Sequence, residues 1–248
     1  MTQPLMRAHH TLLLLAFSII ALAGCGSGGP FAIDEAQEVQ IGRKTAANLE
    51  AKYGVVNDAA QTARITQIGR RLVPQQPRQN LPWTFKILNS KEVNAVSTPG
   101  GFVYVTSGLL QAVGSDDNEL AGVMGHEIAH VAHRDAAHDI QKEMEAQVAL
   151  GVLLGGEQQA IQIAANLGTD LALSQNYREG EFDADRDGTN YAFHAGYRAN
   201  GLLRFLEFLK TKYGDQSKVV TWFGDHPQTS KRITRLREQL QAMGQPAA

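Results

Sequence analysis

A chain of 248 residues, 43% of them hydrophobic, is long enough to bury one sizeable core. Its formal net charge of −2 excludes the strong basic bias of a nucleic-acid binder. A single cysteine excludes an internal disulfide framework, so stability has to rest on the core and on any bound metal.

The N-terminus reads as a processing signal rather than as part of the fold. Arg7 is followed by an apolar run of 13 residues, Thr11 to Ala23, too short to span a bilayer as a mature helix. The run ends in Leu22-Ala23-Gly24-Cys25, which resembles the bacterial lipobox, with Cys25 as the lipidated new N-terminus. An ordinary secretory peptide cut near Ala23, with Cys25 incidental, is the alternative. Residues 1–24 are thus the expected signal, 25–32 a lipid-anchored tether and 33–245 the folded domain. The signal carries one basic and no acidic residue, so its removal leaves 224 residues at a net charge of −3. Acyl chains anchor a domain on a membrane without spanning it. Gly26 stands where an aspartate would favour inner-membrane retention, which points to the periplasmic face of the outer membrane in a Gram-negative host.

Along the folded part, Asp34 opens a helix that runs to about Tyr53 and stops at Gly54. A second helix covers about 58–73, ending before Pro74, with Ile65, Ile68 and Leu72 on one side. Residues 83–88 alternate apolar and polar and read as a strand. Two more strands, 93–98 and 102–106, are joined through Pro99-Gly100-Gly101 as a hairpin. Asp116, with Glu119 in capping-box position, opens a helix over about 117–135. Leu120, Val123, Met124, Ile128 and Val131 give that helix a buried stripe, while Gly122 and Gly125 weaken it and call for a packing or functional reason. Val148 to Leu154 is apolar and interrupted by Gly155-Gly156; packing under a site rim is preferred to a mobile or membrane-touching loop. Further helices are expected over 174–195, 202–213 and 229–243. The class is α+β: a mostly helical domain with a small antiparallel sheet or hairpin.

The chemistry sits in His126-Glu127-Ile128-Ala129-His130. Positions i and i+4 share one helix face, so both imidazoles can address one metal ion. Glu127 projects about 100° further round, beside the metal, where it can take a proton from a metal-activated water. This is the H-E-x-x-H signature of zinc peptidases. Hydrolytic zinc takes three protein ligands. Ala132, His133 and Ala136 exclude the metzincin pattern, which needs a third histidine at 136. A carboxylate from a later helix is the other solution. In Glu179-Gly180-Glu181-Phe182-Asp183-Ala184-Asp185, Glu181 and Asp185 share a face: Glu181 can bind metal and Asp185 can accept the outer N–H of His126. Glu179 is the rival ligand. His133 and His138 read as surface residues, and His194 as a cation at a helix end.

H-E-x-x-H followed some 50 residues later by E-F-D-A-D resembles the M48 peptidases, a gluzincin family. Asn94-Ala95-Val96-Ser97-Thr98-Pro99-Gly100-Gly101 is similar to that family's N-A-x-x-x-P-G-G hairpin, and Gly224-Asp225-His226-Pro227 with Arg232-Ile233 to its late H-P-x-x-x-x-R-I segment. The resemblance covers most of 31–240 and is greatest to small bacterial lipoprotein members. It implies one Zn²⁺ held by His126, His130 and Glu181, with Glu127 as the base. Substrate would add as a strand along Asn94, Ala95 and Val96, near Pro99 and Gly100. His226 has three readings: donor to the developing oxyanion, latent fourth ligand, or helix cap before Pro227. The implied function is a zinc endopeptidase acting on unfolded or misassembled envelope proteins, with the outer-membrane assembly machinery as a candidate partner. A periplasmic chaperone or assembly factor with a dispensable protease site is the alternative.

Overall fold

A computed structural model describes residues 32–149, 156–172, 180–213 and 229–247. Cys25, Glu179 and His226 lie outside the described residues, as does most of the Val148–Leu154 run. All the elements below belong to one compact unit, Ile33–Ala248.

Local chemistry starts the helices where side chains can satisfy the first free N–H groups. Helix α1 (Glu35–Tyr53) carries a full capping box between Asp34 and Gln37, and α2 (Ala59–Leu72) is capped by Asp58 on Gln61. Strands β1 (Thr84–Leu88), β2 (Ala95–Thr98) and β3 (Phe102–Thr106) form one sheet in the order β1-β3-β2. The hairpin between β2 and β3 is present, whereas β1 joins β3 in parallel, so the sheet is mixed rather than purely antiparallel. β2 is left as an edge strand. The hairpin turn needs glycine at Gly100 twice over, for its φ of 76° and because a Cβ there would sit 2.7 Å from the Val39 Cα of α1.

A short helix, α3 (Ser107–Val113), follows β3 directly and was not anticipated; seven residues are too few to show a periodicity. Helix α4 (Asp117–His133) is capped by Asp116 on the N–H groups of Asn118 and Glu119. It ends earlier than its pattern suggests, because Arg134 adopts a left-handed conformation (φ 63°) and turns the chain into α5 (Asp135–Ala149). Every residue of α4 from Leu120 to Val131 is buried, so it is the central helix of the domain and not a helix with one apolar stripe. Helices α6 (Glu157–Ala172), α7 (Glu181–His194), α8 (Gly201–Tyr213) and α9 (Thr229–Ala242) complete the described set. Of the expected helix over 174–195, α7 supplies the part from Glu181, preceded by Gly180 at φ 92°; residues 174–179 lie outside the described residues. Among the described residues no helix is long and apolar enough to cross a membrane.

The main core joins α2, the sheet, α4, α8 and α9, with Leu202, Leu203, Phe205, Leu206 and Leu209 of α8 fully buried. Each such side chain contributes about 1.5–3 kcal/mol of burial. A second cluster packs α1 against α5 and α6. What positions the site is the crossing of α4 and α7. A Cβ on Gly125 would meet the Gly188 carbonyl oxygen at 2.6 Å, and one on Gly188 would meet the His126 nitrogen at 2.5 Å. Two facing glycines thus let the helix backbones touch. Gly122 makes the same allowance for α8, where a Cβ would lie 2.3 Å from the Leu202 nitrogen.

Candidate metal centre

Because α4 and α7 approach so closely, the first turn of α7 reaches the histidine face of α4. His126 Nε2 and His130 Nε2 face each other at 3.0 Å. Glu181 brings Oε2 to 3.6 Å from His126 Nε2 and Oε1 to 3.3 Å from His130 Nε2. A tetrahedral ion with bonds of about 2.0–2.1 Å separates its ligand atoms by roughly 3.3 Å. The donor set therefore fits zinc in both chemistry and spacing. Among the described residues these three form the one group of metal-ligating side chains whose donor atoms all lie within 4.8 Å of one another. All three are buried.

The outer ring nitrogens are also engaged. His126 Nδ1 lies 2.9 Å from Asp185 Oδ1, and His130 Nδ1 lies 2.7 Å from Asp135 Oδ2. Each carboxylate holds a proton on Nδ1 and turns the Nε2 lone pair inward. Asp185 thus stands where the sequence places it, against His126. Asp135 was missed: it follows His130 by five residues, and only the left-handed turn at Arg134 brings it back to the ring. Its approach also needs Gly180, since a Cβ there would be 2.7 Å from Asp135 Oδ2.

Arg232 of α9 was likewise missed as a site residue. It is fully buried, and its guanidinium makes a fork: Nη1 to Glu181 Oε2 at 2.7 Å, Nη2 to Asp185 Oδ1 at 2.6 Å and Nε to Asp185 Oδ2 at 2.8 Å. Burial works to raise the Asp185 carboxyl, but the Arg232 charge and the His126 bond hold it below its ordinary value. Burial, the adjacent His130 and the Arg232 charge push His126 down to about 4. Burial works against His130 too, yet bonds to Asp135 and Glu181 push it up to about 10. The two facing imidazoles are thus pushed in opposite directions, and a metal held there would require both Nε2 atoms unprotonated.

Glu127 is 1% exposed and lines a cleft of about 610 Å³, open mouth included, that runs between β2 and helices α4, α5 and α6. Ala95, Val96 and Pro99 line that cleft with His130, as do Ala136, Ala137, Leu171 and Ala172. Asn94 and Gly100 do not. Asn94 binds Thr106 and Ala95 within the hairpin, and the Gly100 N–H donates to Glu38 of α1. His133 pairs with Asp187 at 2.8 Å, and His194 closes α7.

Two helices supplying a buried His₂Glu donor set, with a glutamate beside it and an edge strand along the cleft, define a zinc metallopeptidase of the gluzincin type. The chain belongs to peptidase family M48, whose model matches residues 59–240. Relatives agree. The beta-barrel assembly-enhancing protease of Escherichia coli K12 is 27% identical over 238 residues, which cover 92% of this chain and 49% of that protein. A Vibrio cholerae relative named for the same beta-barrel assembly-enhancing role is 32% identical over 225 residues, covering 87% of this chain and 46% of its own length. Metalloprotease LoiP of E. coli K12 is 29% identical over 232 residues, covering 86% of this chain and 84% of LoiP. The chain thus spans about half the length of the first two relatives and most of the third.

Proposed function

We propose that residues 33–245 form an endopeptidase domain of the bacterial cell envelope that cuts unfolded or misassembled envelope proteins. The observation that carries the reading is the convergence of His126, His130 and Glu181 on one point, with Glu127 beside it on a cleft bordered by the edge strand β2. Zinc held by these three side chains would supply Lewis-acid activation of water and of the peptide carbonyl. Glu127 accepts the proton from the attacking water and passes it to the leaving nitrogen. Asp185 and Asp135 keep both imidazoles in the tautomer that turns Nε2 inward. An extended segment adds to the β2 edge through main-chain hydrogen bonds, which any unfolded chain offers and a folded one hides. Selection then falls on unfolding of the target more than on its sequence. The names of the relatives support the envelope setting. Cys25 as the lipid anchor and contact with outer-membrane assembly machinery belong to the same proposal.

Glu127→Gln tests it. The variant protein should keep one zinc per chain and lose about 10²–10⁴-fold in casein hydrolysis. Turnover near the wild-type rate would overturn the mechanism.

A further inference from the structure

We propose that Arg232 is a positioning residue for the metal centre: its guanidinium fixes the Glu181 and Asp185 carboxylates as a pair, so that zinc retention depends on the seating of the C-terminal helix α9. The inference rests on the reading of Glu181 as a metal ligand.

Three features of α7 make an outside brace necessary. Glu181 is the first residue of its helix, and the start of α7 lacks a side-chain cap at Gly180. Asp183 shares that first turn, but its carboxylate pairs with Arg186 and does not hold Glu181. Third, Glu181 and Asp185 are both buried, and two buried anions four residues apart repel unless a cation lies between them. Arg232 is that cation. It bonds both oxygens of Asp185 and one of Glu181, which sets the rotation of the Glu181 carboxylate and leaves Oε1 on the His130 side. A planar fork of N–H donors can do this, whereas a lysine ammonium is a single point of charge.

The rest of α9 keeps Arg232 in register. The Arg235 guanidinium lies 3.9 Å from the centre of the Phe182 ring, directly after Glu181. Further on, the Gln239 side chain donates to the Arg186 carbonyl and to Asn190. α9 thus clamps α7 from Glu181 to Asn190, with the metal face at one end. Loosening α9 would free the Glu181 carboxylate first.

The test measures zinc itself. In the full chain, Arg232→Lys keeps the charge and loses the fork. Zinc affinity by chelator competition should fall about tenfold or more, the range seen when a partner of a metal ligand is removed. The visible spectrum of the cobalt-substituted protein should shift at an unchanged far-UV circular dichroism. Zinc affinity within twofold of wild type, with an unaltered cobalt spectrum, would overturn the proposal even if thermal stability fell. If Arg232→Lys does not fold, Arg235→Ala decides the matter. It loosens α9 without touching either carboxylate, and several-fold weaker zinc supports the clamp while unchanged affinity sinks it. Glu181→Gln separates the two readings: zinc binding that survives this change removes Glu181 as a ligand, whatever Arg232 does.

Discussion

His126 and His130 are equivalent in the motif, yet the two sides of α4 hold them in unlike ways. His126 faces α7 and α9: the ring is fully buried, and its partner Asp185 is itself gripped by Arg232. His130 lines the cleft, and its partner Asp135 keeps a side chain 15% exposed at the start of α5. One side is a closed polar cluster in which Arg232 bridges the two carboxylates. The other is a wall of small apolar residues that leaves room for a ligand. A hydrolytic site needs both, since ligands have to be held rigidly while substrate still enters.

Asp185→Ala should separate the two sides most sharply. It removes the brace on His126 and leaves Arg232 buried with half its partners, so unfolding by urea should show a loss of about 3–5 kcal/mol. Zinc affinity should fall about 10–100-fold in the same protein. Asp135→Ala should be milder. A partly exposed partner is replaced by water more easily, so zinc affinity should drop about tenfold while stability changes by less than about 1 kcal/mol. Equal stability losses in the two variants would break the comparison. The smallest effect is expected at the cleft wall. Ala136→Leu places a larger group where it faces the cleft, so stability should stay within about 0.5 kcal/mol. Zinc affinity should not move, while KM for casein rises several-fold; an unchanged KM would mean that substrate avoids this part of the cleft.

Much of the site was legible because it is local. Helical periodicity places His126 and His130 on one face, and the same rule pairs Glu181 with Asp185 on another helix. The turn at Pro99-Gly100-Gly101 and the helix starts at Asp34 and Asp116 are readable for the same reason: each is decided by neighbours within a few residues. The sheet was half legible. A hairpin announces itself through its turn, but the parallel β1–β3 pairing crosses from residues 84–88 to 102–106 and leaves no mark on either strand. α3 was too short to show a pattern, and the left-handed Gly180 directly before Glu181 leaves no periodic mark either.

By itself, then, the sequence determined the chemistry: two imidazoles, a base one step on, and a later helix with two carboxylates four residues apart. Only the tertiary structure decided which groups complete it. Arg232 meets Asp185 across 47 positions and comes within 3.5 Å of His126 across 106, separations over which no periodicity carries information. Asp135 depends on one left-handed residue. Gly125 and Gly188, which look like weak points in two helices, turn out to be the contact that brings those helices together. Spacing along a helix specifies which side chains can share an ion. Close packing between helices specifies whether they do.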